Sequence, residues 1–278
     1  MKETRPREPY SSDKVFTGSI AELYDTQLVP LLFEPYAADL AARLASRPLR
    51  RVLEIAAGTG VATRAMAAAL PGAVSIVATD LNQAMLDQAA ARGTARPVEW
   101  RQADAMALPF ADGTFDAVVC QFGVMFFPEK DRAYAEVRRV LRSGGLFVFS
   151  VWDHIQENEF ADIVTTALAA LFPEDPPRFL ARTPHGYHDQ EAIKRDLAAG
   201  GFTASPAVTT LAARSRAASC EGPAVAYCQG TPLRTEIEAR DASRLTEATT
   251  VAAEAIAQRF GRETVDGKIQ AHVVTIAW

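Results

Sequence analysis

The sequence predicts an α/β fold: a doubly wound, mostly parallel sheet of seven strands, preceded by short helices and interrupted by a helical cap insertion. Three observations predict it. Apolar, strand-like runs alternate with alanine-rich, helix-like segments between residues 51 and 151. The connections between them are short and several carry glycine. After a break in this rhythm, helix-like and strand-like segments resume from residue 189 to the end of the chain. In such a sheet a ligand binds beyond the carboxyl ends of the strands.

Ahead of the sheet, Leu23, Leu28, Leu31, Leu32, Phe33, Tyr36, Leu40 and Leu44 recur at helical spacing, interrupted by Pro30 and Pro35, which predicts two short helices. Residues 51–55 are a buried strand, Gly58 and Gly60 a tight turn, and residues 61–70 a helix ended by Pro71-Gly72. The unit repeats as a strand at 74–79 and a helix at 82–92 with Gly93 as its C-cap. Strands at 98–101 and 115–120 follow. A helix at 131–141, with Tyr134, Val137 and Leu141 on one face, stops at Ser143-Gly144-Gly145 before a fifth strand at 146–151.

Beyond Trp152 a helix is expected at 158–171, then an irregular segment forced by Phe172-Pro173-Glu174-Asp175-Pro176-Pro177. Residues 155–188 therefore read as the cap insertion. A helix at 189–199 ends at Gly200-Gly201, a strand covers 202–211, a long helix 236–260 and a last strand 269–278. No repeat or low-complexity linker divides the chain, so residues 1–278 read as one domain with residues 50–151 as its ligand-binding core.

Composition narrows the function classes. With 49% apolar residues the chain can bury a sizeable core. Its charge of −5, without a block of like charge, does not suit a nucleic acid or an anionic lipid surface. The opening MKETRPREPYSSDK has no apolar stretch for a signal peptide, and no later run approaches the roughly 20 apolar residues that span a bilayer. Cys120, Cys220 and Cys228 lack zinc-like spacing, so no metal is expected and a reduced cytoplasmic setting fits. Cys120 lies in an apolar run as a small buried hydrophobe.

The chemistry is carried by four motifs in order. Val52-Leu53-Glu54-Ile55-Ala56-Ala57-Gly58-Thr59-Gly60 resembles the first motif of the class I S-adenosylmethionine-dependent methyltransferases, particularly the small-molecule group that includes the ubiquinone and menaquinone biosynthesis enzymes. Ala78-Thr79-Asp80-Leu81-Asn82 is similar to the second motif, Gln102-Ala103-Asp104-Ala105 with Leu108-Pro109-Phe110 to the third, and Phe115-Asp116-Ala117-Val118-Val119 to the fourth. Val140-Leu141-Arg142-Ser143-Gly144-Gly145 resembles the helix and turn before the fifth strand. The likeness covers about residues 50 to 151 and implies a Rossmann-like sheet, S-adenosylmethionine as methyl donor and S-adenosylhomocysteine as product.

The resemblance implies these contacts. The turn Gly58, Thr59, Gly60 faces the amino-acid portion and ribose, since glycine lets backbone amides come close. Glu54 reaches the ligand's ammonium, directly or through water. Asp80 accepts both ribose hydroxyls. Leu81 and Met85 flank the adenine, whose edge is read by the Asp104 carboxylate and the Ala105 amide. Gln121, after the fourth strand, joins the cofactor contacts. Ala56 stands where the family often has glycine, which costs little if its φ is negative.

Two alternatives stay open: a module that binds S-adenosylmethionine or S-adenosylhomocysteine without catalysis, and an NAD enzyme. Asp80, 20 residues beyond Gly60, occupies the place of an NAD ribose binder, but Thr63 stands where the third glycine of that fingerprint belongs. For the acceptor, Tyr24, Phe33, Trp152, Phe179 and Tyr187 are candidate contacts, with lid packing as the plainer reading. A base is needed only where the acceptor must lose a proton. His154, after the fifth strand, is the best placed on topology, ahead of His185 and His188, although a surface or structural histidine is the plainer reading. The acceptor is expected to be a small, partly apolar molecule.

Overall fold

The structure, a computed structural model, describes residues 22–278. The charged opening segment and the absence of a signal peptide expected there fall outside the described residues. Seven strands form one sheet in the order β3-β2-β1-β4-β5-β7-β6. These are β1 Arg51–Glu54, β2 Ser75–Asp80, β3 Glu99–Gln102, β4 Phe115–Gln121, β5 Leu141–Trp152, β6 Ala207–Ala217 and β7 Val265–Ala277. The first five run parallel, whereas β7 is antiparallel to both neighbours. β1 and β4 are buried almost throughout, as central parallel strands covered on both faces require.

The two helices expected ahead of the sheet run on without a gap: a π-helix, Tyr24–Phe33, leads into α1, Glu34–Ala45. Pro30 lies inside the π-helix, and Pro35 takes an early position in α1, where a missing N–H costs nothing. α2 Val61–Ala69, α3 Gln83–Arg92 and α4 Lys130–Val140 connect the parallel strands. β5 begins earlier than expected, at Leu141. Its register jumps between Phe115↔Leu141 and Ala117↔Leu146, and the intervening bulge carries Gly144 at φ 77°.

The later part departs further from expectation. The strand expected at 202–211 becomes β6, which starts only after Pro206, a residue that cannot donate to a sheet ladder. The long helix expected at 236–260 is divided into α9 Leu233–Asp241 and α10 Leu245–Phe260. Between them Asp241 is extended, and its carboxylate accepts from the Ser243 amide at 2.9 Å, ending one helix and starting the next turn. α8, Glu221–Gln229, lies in a stretch for which no element was expected, with Gly222-Pro223 in its first turn, where a missing N–H costs nothing. Within residues 155–188 lie α5 Glu159–Leu171 and the short α6 Phe179–Arg182. α7, Gln190–Ala199, is capped by Asp189, whose carboxylate accepts from the Glu191 amide at 2.9 Å. No helix among the described residues is long and apolar enough to cross a membrane.

Candidate functional site

The carboxyl ends of β1, β2 and β4 open into a cleft of ≈1010 Å³, its solvent-open mouth included. Parallel pairing sets this edge, placing Glu54 beside Ala78 and Val119, Asp80 beside Gln102, and Gln121 beside Ser150. The turn after β1 is tied to both flanking strands. The Ile55 amide donates to the Val119 carbonyl and the Ala57 amide to the Thr79 carbonyl, each at 2.9 Å. Between these anchors the chain must bend sharply, and Ala56 is driven to φ 52°. The condition for a small cost is therefore not met: Ala56 occupies the left-handed region, at a cost of about 1–2 kcal/mol for a residue with a Cβ. Phe122, just beyond β4, shares that φ of 52°, so two strained non-glycine residues border the cleft.

Asp80 is buried, and each oxygen holds a backbone amide: Gly58 N donates to Oδ2 and Asn82 N to Oδ1, both at 2.8 Å. One side chain thus fixes the glycine turn and the start of α3. The Asn82 side chain and the Leu81 amide also bond this carboxylate. Burial pushes this carboxyl above the ordinary aspartate range, against the opposing pull of the Asn82 and Gly58 amides. Glu54 is more enclosed still. Its carboxyl is pushed up to about 8, chiefly by burial and despite the hydrogen bond donated by the Thr63 hydroxyl. Without a cationic partner it therefore carries a proton at neutral pH.

On the far wall, Asp104 Oδ1 accepts from the Met106 amide at 2.9 Å, while the Ala105 amide makes no hydrogen bond among the described residues. Leu81 is the one large apolar side chain left exposed among the described residues, at 49%, and Met85 is buried beside it in the cleft. Gln121 donates from Nε2 to the Phe33 carbonyl at 2.8 Å, which leaves Oε1 without a partner, as is the buried Thr59 hydroxyl. Glu54, Gly58, Thr59, Asp80, Leu81, Met85, Asp104, Ala105 and Gln121 thus come together around one cleft. Gly60 does not line it. At φ 80° it starts α2, and a Cβ there would stand 2.9 Å from the Trp100 ring, so this glycine serves turn and packing.

A second chamber of ≈560 Å³ adjoins the cleft; Tyr24, Phe33, Phe122 and Phe126 line both. Trp152 and Phe179 also line the chamber. Phe122 stacks on Trp152 with ring centroids 4.0 Å apart, and Phe33 packs 5.5 Å from Phe122. Two of the expected acceptor-side residues lie elsewhere. Tyr187 donates to Asp196 Oδ2 at 2.7 Å and meets the Tyr134 hydroxyl at 3.3 Å, so it ties the insertion to α4 and α7 rather than lining a cavity. His154 is exposed outside both cavities, where it precedes a short 3-10 turn and packs edge-on against His188. Its position after β5 suggested the site, but the chain turns outward there.

His185 is instead the histidine in the chamber, 5% exposed. Burial holds its imidazole at about 4, so the ring is neutral at physiological pH. Sequence reasoning also missed Asp25, a buried acid in an otherwise apolar helical stripe. Arg92 and, more distantly at 3.4 Å, Gln88 donate to it from α3, with Arg64 of α2 3.8 Å away. This ionic anchor fastens the π-helix, and with it Tyr24, over the glycine turn. A lone acid within YDTQLVPLLF was the available signal.

Comparison with known proteins decides the family. The family model described as "Methyltransferase domain" matches residues 53–149. A ubiquinone/menaquinone biosynthesis C-methyltransferase UbiE of Burkholderia mallei is 33% identical over 201 residues, covering 67% of this chain and 82% of that protein. The chain belongs to the class I S-adenosylmethionine-dependent methyltransferases. A UbiE of Ectopseudomonas mendocina is 32% identical over 169 residues, or 56% of this methyltransferase and 66% of the relative. A solved S-adenosylmethionine-dependent methyltransferase of Thermotoga maritima shares the fold, with a TM-score of 0.54 at 15% identity over 93% of this chain and 96% of that one. The methyl donor of this methyltransferase is S-adenosylmethionine by family. An NAD site is disfavoured by the geometry as well, because the Thr63 side chain fills the third glycine's place and bonds Glu54.

Proposed function

We propose that this methyltransferase binds S-adenosylmethionine in the cleft over β1, β2 and β4, and methylates a small, partly apolar organic molecule held in the second chamber. The observation that carries this reading is the shared aromatic wall. Tyr24, Phe33, Phe122 and Phe126 belong to both cavities, so a donor in one and an acceptor in the other meet across aromatic faces, which favour a cationic sulfonium.

In this reading Asp80 accepts the ribose hydroxyls, while Asp104 and the Ala105 amide read the adenine edge between Leu81 and Met85. Gly58 and Thr59 border the amino-acid portion, and Glu54 with Gln121 Oε1 faces its ammonium. The donor supplies an already activated methyl group, so the protein's own work is to align the acceptor and exclude water. Residues 50–151 act as the cofactor-binding core of a single domain spanning 1–278, and residues 155–188 as the cap over the acceptor. The three buried, unpaired cysteines support a reduced cytoplasmic setting. Nothing in the charge pattern favours nucleic acid as acceptor.

The relatives named above are C-methyltransferases. A transfer assay with labelled donor over phenols, quinols, amines and acids identifies the accepting atom. Calorimetry with S-adenosylhomocysteine and with NAD tests the donor site. Tight binding of the first and none of the second is expected, and the reverse result would overturn the reading.

A further inference from the structure

Resting on that reading of the two cavities, we propose that His185 Nε2 takes the proton of the methyl acceptor, and that the acceptor is a neutral, largely apolar ring bearing a hydroxyl group. His185 Nδ1 lies 2.9 Å from the Asp153 carbonyl oxygen, which can only accept, so Nδ1 carries the proton. In a neutral imidazole the free lone pair is then on Nε2, which has no hydrogen bond among the described residues, both recorded ring contacts being to Nδ1.

The segment holding this tautomer is itself fastened. The Asp153 carboxylate accepts from Gln270 Nε2 and from the His154 amide, both at 2.7 Å. Its carbonyl is thereby kept beneath the imidazole.

The remaining polar groups of the chamber divide cleanly. Asn158 is committed: its Nδ2 donates to the His154 and Gln270 carbonyls, and its Oδ1 accepts from the Gln270 amide at 3.0 Å. The Thr231 hydroxyl donates to the Tyr227 carbonyl at 2.7 Å and accepts from the Leu233 amide at 3.1 Å. Tyr227, 3% exposed, lines the chamber, and its own hydroxyl has no partner.

Among the described residues, the side chains of the chamber thus offer one bare acceptor, His185 Nε2, and one uncommitted hydroxyl, Tyr227, within a mainly aromatic and aliphatic wall. A hydroxyl group satisfies both, giving its hydrogen to Nε2 and receiving one from Tyr227. Among the described residues no carboxylate, lysine or arginine lines the chamber, so an ammonium or carboxylate acceptor would meet no counter-charge from them.

The proton step balances. The acceptor O–H bond breaks with its proton passing to Nε2 and its electron pair remaining on the acceptor. That pair bonds to the methyl carbon as the donor's carbon–sulfur bond breaks onto sulfur. Positive charge leaves the sulfonium and reappears on the imidazole, so the buried site's net charge is unchanged while a ring that is weakly basic at rest takes the proton.

Calorimetry on the full chain saturated with S-adenosylhomocysteine tests this, with 1-naphthol and 1-methoxynaphthalene as probes differing only in the hydroxyl hydrogen and methyl. Naphthol should bind about 10-fold or more tightly than its ether, the scale of a lost buried hydrogen bond. His185→Phe should erase that preference, and Tyr227→Phe should reduce it, with S-adenosylhomocysteine affinity unchanged. Tyr227→Phe deletes an atom without a protein partner, so it keeps the test decisive if His185→Phe fails to fold. In a 15N-histidine spectrum, naphthol but not the ether should move the His185 Nε2 resonance, which a packing role would leave in place. Equal affinities in the unaltered chain, no naphthol binding, a preference that survives His185→Phe, or one left undiminished by Tyr227→Phe overturns the inference. Failure to bind S-adenosylhomocysteine would instead overturn the underlying reading of the cleft.

Discussion

The cleft and the chamber meet at four aromatic residues, yet they are built in opposite ways. The cleft is assembled from turns that directly follow successive strands, each placed by parallel pairing with its neighbour. Its polar groups tie the backbone of the turns together, as Asp80 does in holding Gly58 and Asn82. The chamber draws its walls from residues as distant as Leu28 and Tyr227 and is mainly aromatic and aliphatic. A strand-end cleft can thus be encoded locally, whereas the chamber records how remote segments pack.

Trp152→Ala should break the comparison most strongly. It removes a ring stacked on Phe122 and packed 5.4 Å edge-on from Tyr36, at a cost of about 3–5 kcal/mol in urea unfolding. S-adenosylhomocysteine affinity should stay within about twofold, because Trp152 lines only the chamber. A matching loss of cofactor affinity would show that the two cavities are one energetic unit.

Asp80→Ala tests the other side. Loss of the charged hydrogen bonds should weaken S-adenosylhomocysteine binding by about 1.5–3 kcal/mol in calorimetry. Residues lining only the chamber should be unaffected, so its probe ligands should bind as before.

Glu54 gives a pH signature. Alone it holds a proton up to about pH 8; paired with the ligand's ammonium it is ionised. The bound state then carries fewer protons, so affinity should rise with pH toward about 8 and binding near pH 7 should release a proton. Titration in two buffers of different ionisation enthalpy measures this release, which Glu54→Gln should abolish. For the ligand-free protein the sign runs the other way. The folded state keeps a proton the unfolded chain loses above the usual value of 4.5, so this contribution to stability declines as pH rises to about 8.

The smallest expected effect is at Ala56. Glycine there should relieve the left-handed strain and raise stability by about 1 kcal/mol in a urea midpoint. Gly123→Ala should do the reverse, because a Cβ there would fall 2.5 Å from that of Ala56 and 2.7 Å from Cys120 Sγ.

Much of the cleft was legible in the sequence because strand periodicity, a glycine turn and an acid after each strand are short-range signals. Glu54, Asp80, Asp104 and Gln121 stand near the strand ends where alternation placed them. Helix and strand boundaries failed where one side chain changed the local balance, as with the Asp241 cap and the Gly222-Pro223 start of α8. The chamber was far less legible. Tyr24, Phe33, Trp152 and Phe179 do reach it, but as aromatics they would have suited ordinary packing equally well.

The sequence by itself therefore determined the order of the parallel elements and which polar residues gather at the carboxyl ends of β1, β2 and β4. Tertiary structure alone decided that Ala56 is left-handed, because its neighbours are tied to β4 and β2 at once. It also decided between the histidines, turning His154 to solvent and enclosing His185 over the Asp153 carbonyl. Period and spacing report which face a residue takes within its own element, but a choice between two cap histidines depends on contacts across the fold. Those contacts exist only after the chain has closed its long loops.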